Sequence, residues 1–405
     1  MPPQNPRTTG ATDSVVELVR QEVVRRGPVR FDEVMELALY HPEHGFYAAG
    51  GQAGRRGDFL TSPEVGPLFG AVLARAIDAW WSELGRPDPF VVIEGGAGRG
   101  ALAQSVLLAD PVCAPALRYL LVERSAALRT RQREHLTLTP PALALGPTVE
   151  DVDGTRRPVR AGEGPVVVSL EELPDIDGPV TVIANELLDN LRCRILERGE
   201  HGWLELCVAT DLGRLDHPPG EQLCRDPLRE RLVPLIDGRL DSRDLDRLVA
   251  DAPPGARIPW QEQARQWLGA ALATAGPGGR VVVIDYAVPS TAQLALRPQR
   301  EWLRTYAEHE PGGLALERLG QQDITVEVCI DQLSLVRRPE EDRTQTEFLR
   351  SHGLEALVAE GEERWQDRVS IGDLQAVRGR SRVAEAAALT DPGGLGSFRV
   401  LEWMG

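Results

Sequence analysis

The chain has 405 residues, of which 42% are hydrophobic, and its formal net charge is −16. This length allows a large core with insertions or two domains, and the acidic balance argues against nucleic acid or an anionic membrane surface as a partner, because both reward clustered positive charge. The sequence contains no lysine, which excludes Schiff-base chemistry, pyridoxal phosphate attachment and a Walker-type lysine.

The N-terminal part of the chain is predicted to be helical. Ser14 to Arg26 carries valines on one helical face, and Phe31 to Tyr40 is a second short amphipathic segment. Thr61 and Glu64 have the spacing of a capping box, so they open a third helix that runs to Trp81. We expect the segment around this helix start to cover the ligand site that follows.

Residues 90–100 read Phe-Val-Val-Ile-Glu-Gly-Gly-Ala-Gly-Arg-Gly, an apolar strand that ends in Glu94 and runs into a glycine-rich loop. Apolar residues then follow at helical spacing, so a ligand can approach the backbone of a strand–loop–helix unit. A second strand, Leu117 to Val122, ends in another acid, Glu123. A carboxylate at the tip of a neighbouring parallel strand can accept hydrogen bonds from both ribose hydroxyls. The pattern predicts a nucleoside cofactor.

The glycine spacing leaves two cofactors open. Gly96, Gly98 and Ala101 satisfy the weaker form of the NAD fingerprint. The acid-x-G-x-G-x-G loop that is typical of methyltransferases is satisfied in full by Glu94, Gly96, Gly98 and Gly100. A carboxylate at the loop mouth would repel a pyrophosphate but attract the ammonium and sulfonium groups of S-adenosylmethionine. We therefore favour S-adenosylmethionine over NAD.

Strands and helices alternate through the rest of the chain, which predicts a doubly wound, mostly parallel α/β sheet with insertions after the fourth strand. Strands are predicted at Val166–Val168, Val180–Ala184, Arg280–Ile284 and Phe398–Met404, and helices at Gln261–Ala273 and Thr344–His352. Arg192–Glu197 and Trp203–Val208 alternate in polarity and flank a glycine-bearing turn, so they predict a hairpin. The Pro-, Arg- and Asp-rich residues 211–255 are predicted to be a surface insertion.

Several blocks of sequence, taken in order, resemble the MidA-like methyltransferases. They are Gly57–Glu64 (GDFLTSPE), Glu94–Gly100 (EGGAGRG), Tyr119–Ser125 (YLLVERS), Ile183–Asp189 (IANELLD), Ile284–Tyr286 (IDY) and Gln322–Thr325 (QDIT). The resemblance implies a class I, S-adenosylmethionine-dependent fold with an added N-terminal helical part. Its mitochondrial branch acts in complex I assembly and has protein arginine methylation attributed to it. The resemblance thus implies an arginine-bearing protein as methyl acceptor, with a respiratory-complex subunit as one candidate.

Further site residues follow from these blocks and their neighbours. We expect Asp58, Ser62, Ser169 and Leu170 to complete the cofactor site. Two positions depart from the family's usual pattern, because Gly95 replaces an apolar residue and Arg192 stands where a proline is common.

Asn185, Glu186 and Asp189 directly follow a predicted strand, on the side where the methyl group would be presented. A guanidinium has a pKa of about 12.5–13.8 and stays protonated, and a cation is a poor nucleophile. Carboxylates can hold it in a bidentate grip and aim one nitrogen at the sulfonium methyl. We predict that Glu186 and Asp189 form this grip and that Asn185 orients the acceptor or the cofactor. The alternative is a helix start that carries acids for dipole reasons.

No metal site and no membrane insertion are expected. The five cysteines are widely spaced and lack a C-x-x-C pair, which fits a reducing compartment and no zinc framework. His41 and His44 make a poor metal site without a third ligand, and with Tyr47 they are a candidate substrate-facing lid. No apolar run of about 18 residues, the length of a membrane helix, occurs, so we expect a cytoplasmic protein.

We divide the chain into an N-terminal helical or lid region (1–80), a cofactor-binding core (81–210), an insertion (211–260) and the remaining core with substrate-side elements (261–405). The predicted activity is S-adenosylmethionine-dependent methylation of protein arginine, and a homodimer is among the expected assemblies. Two alternatives stay open. One is an NAD(P)-linked oxidoreductase, and the other is a non-catalytic, S-adenosylmethionine-binding assembly chaperone for a respiratory complex.

Overall fold

A seven-stranded sheet organises the computed structural model, which describes residues 14–48, 61–144, 149–150, 156–157, 163–210, 227–235, 242–307, 310–368, 371 and 374–405. In chain order its strands are β1 (Phe90–Gly95), β2 (Leu117–Val122), β3 (Val166–Leu170), β4 (Val180–Asn185), β5 (Arg280–Asp285), β6 (Glu341–Thr344) and β7 (Arg399–Met404). They lie side by side in the order β6-β7-β5-β4-β1-β2-β3. The strands from β5 to β3 are parallel, whereas β7 pairs antiparallel with both β5 and β6.

Both faces of the parallel strands are buried, so consecutive residues of one strand enter different cores. In β1, Val92 packs on the face that is covered by helices Pro67–Glu83 and Ala101–Leu108. Ile93 packs on the other face, with helix Glu262–Ala275. Continuous apolar runs are typical of strands covered on both sides. The strand order reverses between β1 and β4, and in open α/β sheets this switch point leaves a crevice for a ligand at the carboxyl ends of the strands.

Helices surround the sheet and continue into the N-terminal and C-terminal parts of the chain. The α-helices of the described ranges are Val15–Arg26, Phe31–Tyr40, Ser62–Val65, Pro67–Glu83, Ala101–Leu108, Ala126–Gln132, Pro141–Ala144, Ser242–Val249, Glu262–Ala275, Thr291–Ala295, Gln299–Trp302, Ile330–Leu333, Gln345–Ser351, Leu354–Arg368 and Leu374–Leu389. Short 3₁₀ turns occur at Ala114–Ala116, Leu188–Asn190 and Leu395–Ser397. Within the ranges described, no helix combines the length and apolarity that a membrane crossing requires.

A second, antiparallel sheet shares a core with the N-terminal helices Val15–Arg26 and Phe31–Tyr40. Its strand Trp203–Ala209 pairs with Val29–Arg30, Arg194–Arg198 and Arg229–Pro234, and Arg257–Trp260 pairs with Arg194–Arg198. Short ladders join Leu303–Ala307 to Glu310–Pro311 and Asp323–Val326, Ala287–Val288 to Val328–Cys329, and Val149–Glu150 to Arg156–Arg157. Part of the stretch predicted as a surface insertion is thus a strand of this sheet.

The structure confirms the predicted fold class, the hairpin and the closing strand β7. The helix predicted from Thr61 to Trp81 is two helices, because the chain turns at Gly66. The Glu385 carboxylate fills the space where a Cβ of residue 66 would stand. It accepts a hydrogen bond from the N–H of Leu68 at 2.9 Å and so caps the second helix.

Candidate active site

A cavity of about 630 Å³ lies at the carboxyl ends of β1, β2 and β4. Of the residues predicted to bind the cofactor or the methyl acceptor, those that line it are Glu94, Gly96, Gly98, Glu123, Asn185 and Glu186. Gly100, Ser62, Ser169, Leu170 and Asp189 are described but do not line it, and Asp58 lies outside the described residues. Beyond β3 the wall is formed instead by Glu171, Glu172 and Leu173, immediately after the two residues predicted there.

Left-handed backbone shapes the glycine loop after β1. Gly96, Gly98 and Gly100 have φ angles of +66°, +53° and +84°, which residues with a side chain rarely adopt. A Cβ at Gly96 would lie 2.7 Å from Leu187, and a Cβ at Gly100 would lie 2.6 Å from Leu136. A Cβ at Gly98 would meet no protein atom within 4 Å. Gly98 therefore presents its backbone to the cavity, while the other two glycines permit close packing.

The tip of β2 presents a buried carboxylate to this loop. Glu123 accepts hydrogen bonds from the N–H groups of Gly98 at 2.9 Å and Ser125 at 2.7 Å. Burial raises the pKa of Glu123, and the two N–H donors oppose that increase. The carboxylate ties the loop to β2 and stands where nucleotide-binding folds hold ribose hydroxyls.

Glu94, at the end of β1, is a second buried carboxyl group of the cavity wall. Its Oε2 accepts a hydrogen bond from the Tyr119 hydroxyl at 2.8 Å. Burial raises the pKa of Glu94 to about 8, although the hydrogen bonds from Tyr119 and the Ala103 N–H oppose the increase. The group is therefore mostly neutral at pH 7, and a cation entering the cavity would favour its ionised form.

The third carboxyl group, Glu186, follows β4 in a left-handed conformation with a φ of +52°, which is uncommon for a residue other than glycine. Its Oε1 accepts hydrogen bonds from the N–H of Ser62 at 2.9 Å and from Nδ2 of Asn185 at 3.1 Å. Burial, with a smaller contribution from the Asp285 carboxylate, raises the pKa of Glu186 to about 8. A strained backbone that aims a carboxyl group into a cavity is typical of functional sites.

Ser62 supports Glu186 and does not itself line the cavity. Its hydroxyl donates to Oε1 of Gln345 at 3.0 Å, and Nε2 of Gln345 donates to the carbonyl of Leu389 at 3.1 Å. Ser62 and Gln345 are both fully buried. The side chain predicted to touch the cofactor thus fixes the helix start that holds Glu186.

Asp189 lies behind the cavity wall, in the 3₁₀ turn Leu188–Asn190. Burial raises its pKa well above the usual range, and repulsion from the carboxylates of Asp285 and Asp323 adds to the increase. A grip formed by Glu186 and Asp189 together is therefore not preformed on the wall. The part of Asp189 in acceptor binding stays a prediction.

The two departures from the family pattern have local explanations. A Cβ at Gly95 would lie 2.8 Å from Cζ2 of Trp267, so the indole occupies the space of a side chain at position 95. The backbone N–H of Arg192 donates to Oε1 of Gln263 at 2.9 Å, a hydrogen bond that proline could not make. Trp267 and Gln263 line the cavity, whereas Arg192 does not.

Aromatic residues form part of the cavity wall, and the sequence predicted only one of them. The sequence indicated Tyr47 as part of a lid but gave no role to Tyr40, Arg124 and Trp267, which also line the cavity. The ring centroids of Tyr40 and Tyr47 lie 5.3 Å apart, and the guanidinium carbon of Arg124 lies 4.0 Å from the Tyr40 centroid. The Tyr47 hydroxyl donates to Oδ1 of Asp323 at 3.2 Å. Aromatic residues at positions 40 and 47 are visible in the sequence, but only contacts between distant segments place them in the wall of the cavity.

The described walls fit S-adenosylmethionine. Gly98 offers open backbone, Glu123 offers acceptors for ribose hydroxyls, and Glu94 offers a carboxyl group whose ionised form the sulfonium and ammonium groups would favour. A parallel sheet in this strand order, closed by the antiparallel β7 and carrying this site at its switch point, is a class I methyltransferase fold.

Comparisons with known proteins identify the family. The model of the family described as "Putative S-adenosyl-L-methionine-dependent methyltransferase" matches residues 72–347. The chain belongs to this family, and the resemblance to the MidA-like methyltransferases is confirmed. S-adenosylmethionine is the cofactor, methyl transfer is the reaction class, and the NAD(P)-linked alternative is set aside.

Two relatives and one solved structure give the extent of the similarity. The chain is 25% identical over 361 residues to protein arginine methyltransferase NDUFAF7, mitochondrial, of Danio rerio, covering 85% of this chain and 78% of the relative. It is 27% identical over 348 residues to the protein of that name from Rattus norvegicus, with 82% and 72% covered. A "likely methyl transferase" from Burkholderia thailandensis, bound to S-adenosyl-homocysteine, has a TM-score of 0.74 at 23% identity, with 100% of this chain and 95% of that chain covered.

Replacing Glu123 by alanine is expected to weaken S-adenosylmethionine binding by about 1.5–3 kcal/mol, because hydrogen bonds that involve a charged group contribute that much. Glu123→Gln keeps one side-chain acceptor and is expected to lose less. Titration calorimetry measures both losses, and circular dichroism checks that the loop change has not unfolded the protein. Wild-type affinity in both variants would rule out the ribose contact.

The affinity for S-adenosylmethionine is expected to rise with pH between about pH 6 and pH 7. The pKa of Glu94 is raised to about 8, so below that pH a proton must leave before the carboxylate can face a cationic ligand. Linkage then gives up to about tenfold in affinity per pH unit. Glu94→Gln, which keeps an acceptor for Tyr119, is expected to have a shallower slope. The same slope in both proteins would contradict the assignment.

Proposed function

We propose that this methyltransferase acts on arginine side chains of a protein. The observation that carries the proposal is Glu186, a carboxyl group with a pKa of about 8 that lines the cavity beyond β4. Both of its described side-chain hydrogen bonds end on Oε1, so Oε2 can accept an N–H of a guanidinium. The names of the relatives, which are protein arginine methyltransferases, support the same acceptor.

Glu186 would perform two tasks toward a guanidinium. When bound, the cofactor supplies a methyl group on a sulfonium sulfur. A carboxylate that accepts guanidinium N–H bonds draws the positive charge toward the nitrogens it contacts, and it fixes the plane of the group so that another nitrogen faces the methyl. That nitrogen must lose a proton as the new C–N bond replaces the bond between the methyl carbon and sulfur, whose electron pair stays on sulfur. A bound guanidinium favours the ionised form of Glu186, which can then take this proton because its pKa of about 8 is well above that of an ordinary carboxyl group.

The aromatic part of the wall supports arginine over neutral acceptors. Tyr47 and Trp267 contribute aromatic rings to the wall, on which a guanidinium can stack. Arg124 makes this kind of contact within the protein, 4.0 Å above the ring of Tyr40. A cavity that combines carboxyl groups with aromatic rings is complementary to a planar cation.

The test is transfer of labelled methyl from S-adenosylmethionine to extract of cells that lack the enzyme, followed by amino-acid analysis. Label in methylarginine is the expected result. Label in another residue type would overturn the arginine assignment. No label, with cofactor binding shown by calorimetry, would favour the assembly chaperone that binds S-adenosylmethionine without turnover.

The identity of the acceptor, the assembly and the location belong to the same proposal. We propose a respiratory-complex subunit as the acceptor, a homodimer as the assembly and the cytoplasm as the location. Mass spectrometry of methylated peptides from matched wild-type and deletion cells would name the acceptor. Light scattering of the purified chain would give its mass, and a monomer would refute the dimer.

A further inference from the structure

We propose that Arg99 binds the carboxylate of the methionine part of the cofactor. Arg99 stands in the glycine loop between Gly98 and Gly100, and its side chain lines the cavity. The inference rests on S-adenosylmethionine as cofactor and adds the residue that recognises its anionic group. A buried or half-buried carboxylate needs such a partner, and a guanidinium can bind it through two parallel hydrogen bonds.

Arginine lines the described cavity wall at two positions, 99 and 124. Arg124 directly follows Glu123 at the tip of β2, which places it at the nucleoside end of the cavity. Its guanidinium stacks on Tyr40 at 4.0 Å and pairs with the Glu36 carboxylate. Arg124 is therefore already held by Tyr40 and Glu36, next to the carboxylate that would accept the ribose hydroxyls.

Arg99 points toward the other end. Its Nη2 lies 3.3 Å from Oε1 of Glu64. Glu64 belongs to the four-residue helix Ser62–Val65, and the N–H of Ser62 in the same helix donates to Glu186 at 2.9 Å. The ion pair between Arg99 and Glu64 therefore joins the glycine loop to the short helix that holds Glu186, the residue that follows β4. This is the end at which the methyl group would be presented.

The charge of that end requires a cation beside any anionic ligand group. Glu64, Glu94 and Glu186 all line the cavity there. In their ionised forms, which the positive charges of a bound cofactor favour, these groups would repel the carboxylate of the ligand. Arg99 lies in the glycine loop, next to these carboxyl groups, and its positive charge can offset this repulsion.

The Glu64 carboxylate already occupies the position of an anionic partner. Arg99 contacts its Oε1, whereas its Oε2 accepts from the Thr61 hydroxyl at 2.9 Å in the capping box. Arg99 can therefore exchange the Glu64 oxygen for a ligand oxygen while the helix cap stays in place. The exchange replaces one carboxylate by another and leaves no cation unpaired.

The experiment is a binding cycle with two ligands, S-adenosylmethionine and decarboxylated S-adenosylmethionine, which differ by the carboxylate alone. Calorimetry measures both for the full-length wild-type chain, Arg99→Gln, Arg99→Lys and Arg124→Gln. Arg99→Gln is expected to weaken S-adenosylmethionine binding by about 10- to 100-fold, the effect of losing a charged hydrogen-bond partner. Its effect on the decarboxylated ligand is expected to stay within about twofold. Arg99→Lys keeps the positive charge but loses the pair of parallel hydrogen bonds, so its affinity for S-adenosylmethionine should lie between those of the wild type and Arg99→Gln.

The outcomes separate this inference from the cofactor assignment. If wild-type protein binds neither ligand, the cofactor assignment itself fails. If the wild type binds S-adenosylmethionine but Arg99→Gln weakens both ligands equally or neither, Arg99 does not contact the carboxylate. A selective loss in Arg124→Gln instead would move the carboxylate to the β2 end and overturn the proposal. Thermal unfolding of each variant shows whether a uniform loss reflects unfolding.

Discussion

Glu186→Gln is expected to lower methyl transfer by about 10²-fold or more while the affinity for S-adenosylmethionine changes little. The substitution keeps the size of the side chain and an oxygen to accept from Ser62 and Asn185, but it removes the charge that orients a guanidinium. Misplacing a reacting group by about 1 Å is enough for a loss of that size. Single-turnover transfer of labelled methyl gives the rate, and calorimetry gives the affinity.

Two further variants make this result specific. Glu200→Gln changes an exposed glutamate in the hairpin turn and should transfer methyl at the wild-type rate. Asp189→Asn is also expected to reduce transfer if the turn Leu188–Asn190 reorders around the acceptor, as the two-carboxylate grip requires. If Glu186→Gln transfers methyl at the normal rate, the acceptor is held elsewhere. If it loses cofactor affinity in proportion to its rate, Glu186 serves the cofactor and not the acceptor.

Gly98→Val is expected to abolish detectable S-adenosylmethionine binding in a protein that still folds. A Cβ at Gly98 meets no protein atom within 4 Å, so the new side chain enters the cavity and not the core. The φ of +53° adds strain for a β-branched residue. Together these effects should cost at least about 3 kcal/mol of binding, or more than about 100-fold in affinity.

Gly85→Val is a matched control for the backbone. Gly85 has a φ of +80°, and a Cβ there also meets no atom within 4 Å. It lies in the connection before β1, at the opposite edge of the sheet from the cavity. The Gly85→Val protein should lose about as much stability as the Gly98→Val protein, but it should keep the wild-type affinity for S-adenosylmethionine. Equal binding by both variants would show that the loop at Gly98 is an ordinary turn.

The parts of the structure that depend on local pattern could be predicted from the sequence. Apolar strands tipped by Glu94 and Glu123, with a glycine loop between strand and helix, predict where a nucleoside binds because parallel strands end at the same edge. The hairpin around Gly199 and Gly202 follows from alternation and a turn signal in the same way. These features involve residues that are close in the chain or repeat a regular unit.

The remaining features depend on contacts between distant segments. The hydrogen bond from Ser62 to Glu186 joins residues 124 positions apart, and that from Tyr47 to Asp323 joins residues 276 apart. No periodicity encodes such a pairing. Asp189 shows the opposite difficulty, because its proximity to Glu186 in sequence suggests a shared surface, whereas the 3₁₀ turn carries it behind the wall.

Gly95 and Trp267 have a consequence for how this family can vary. Because a Cβ at position 95 would lie 2.8 Å from Cζ2 of the Trp267 indole, an apolar side chain at 95 would require the indole to move. A change at one of the two positions alone therefore produces either a close contact that displaces the indole or a hole where the indole stood. Homologous sequences should therefore inherit these two positions as a linked pair, and grafting the loop of one member onto another would succeed only when helix Glu262–Ala275 travels with it.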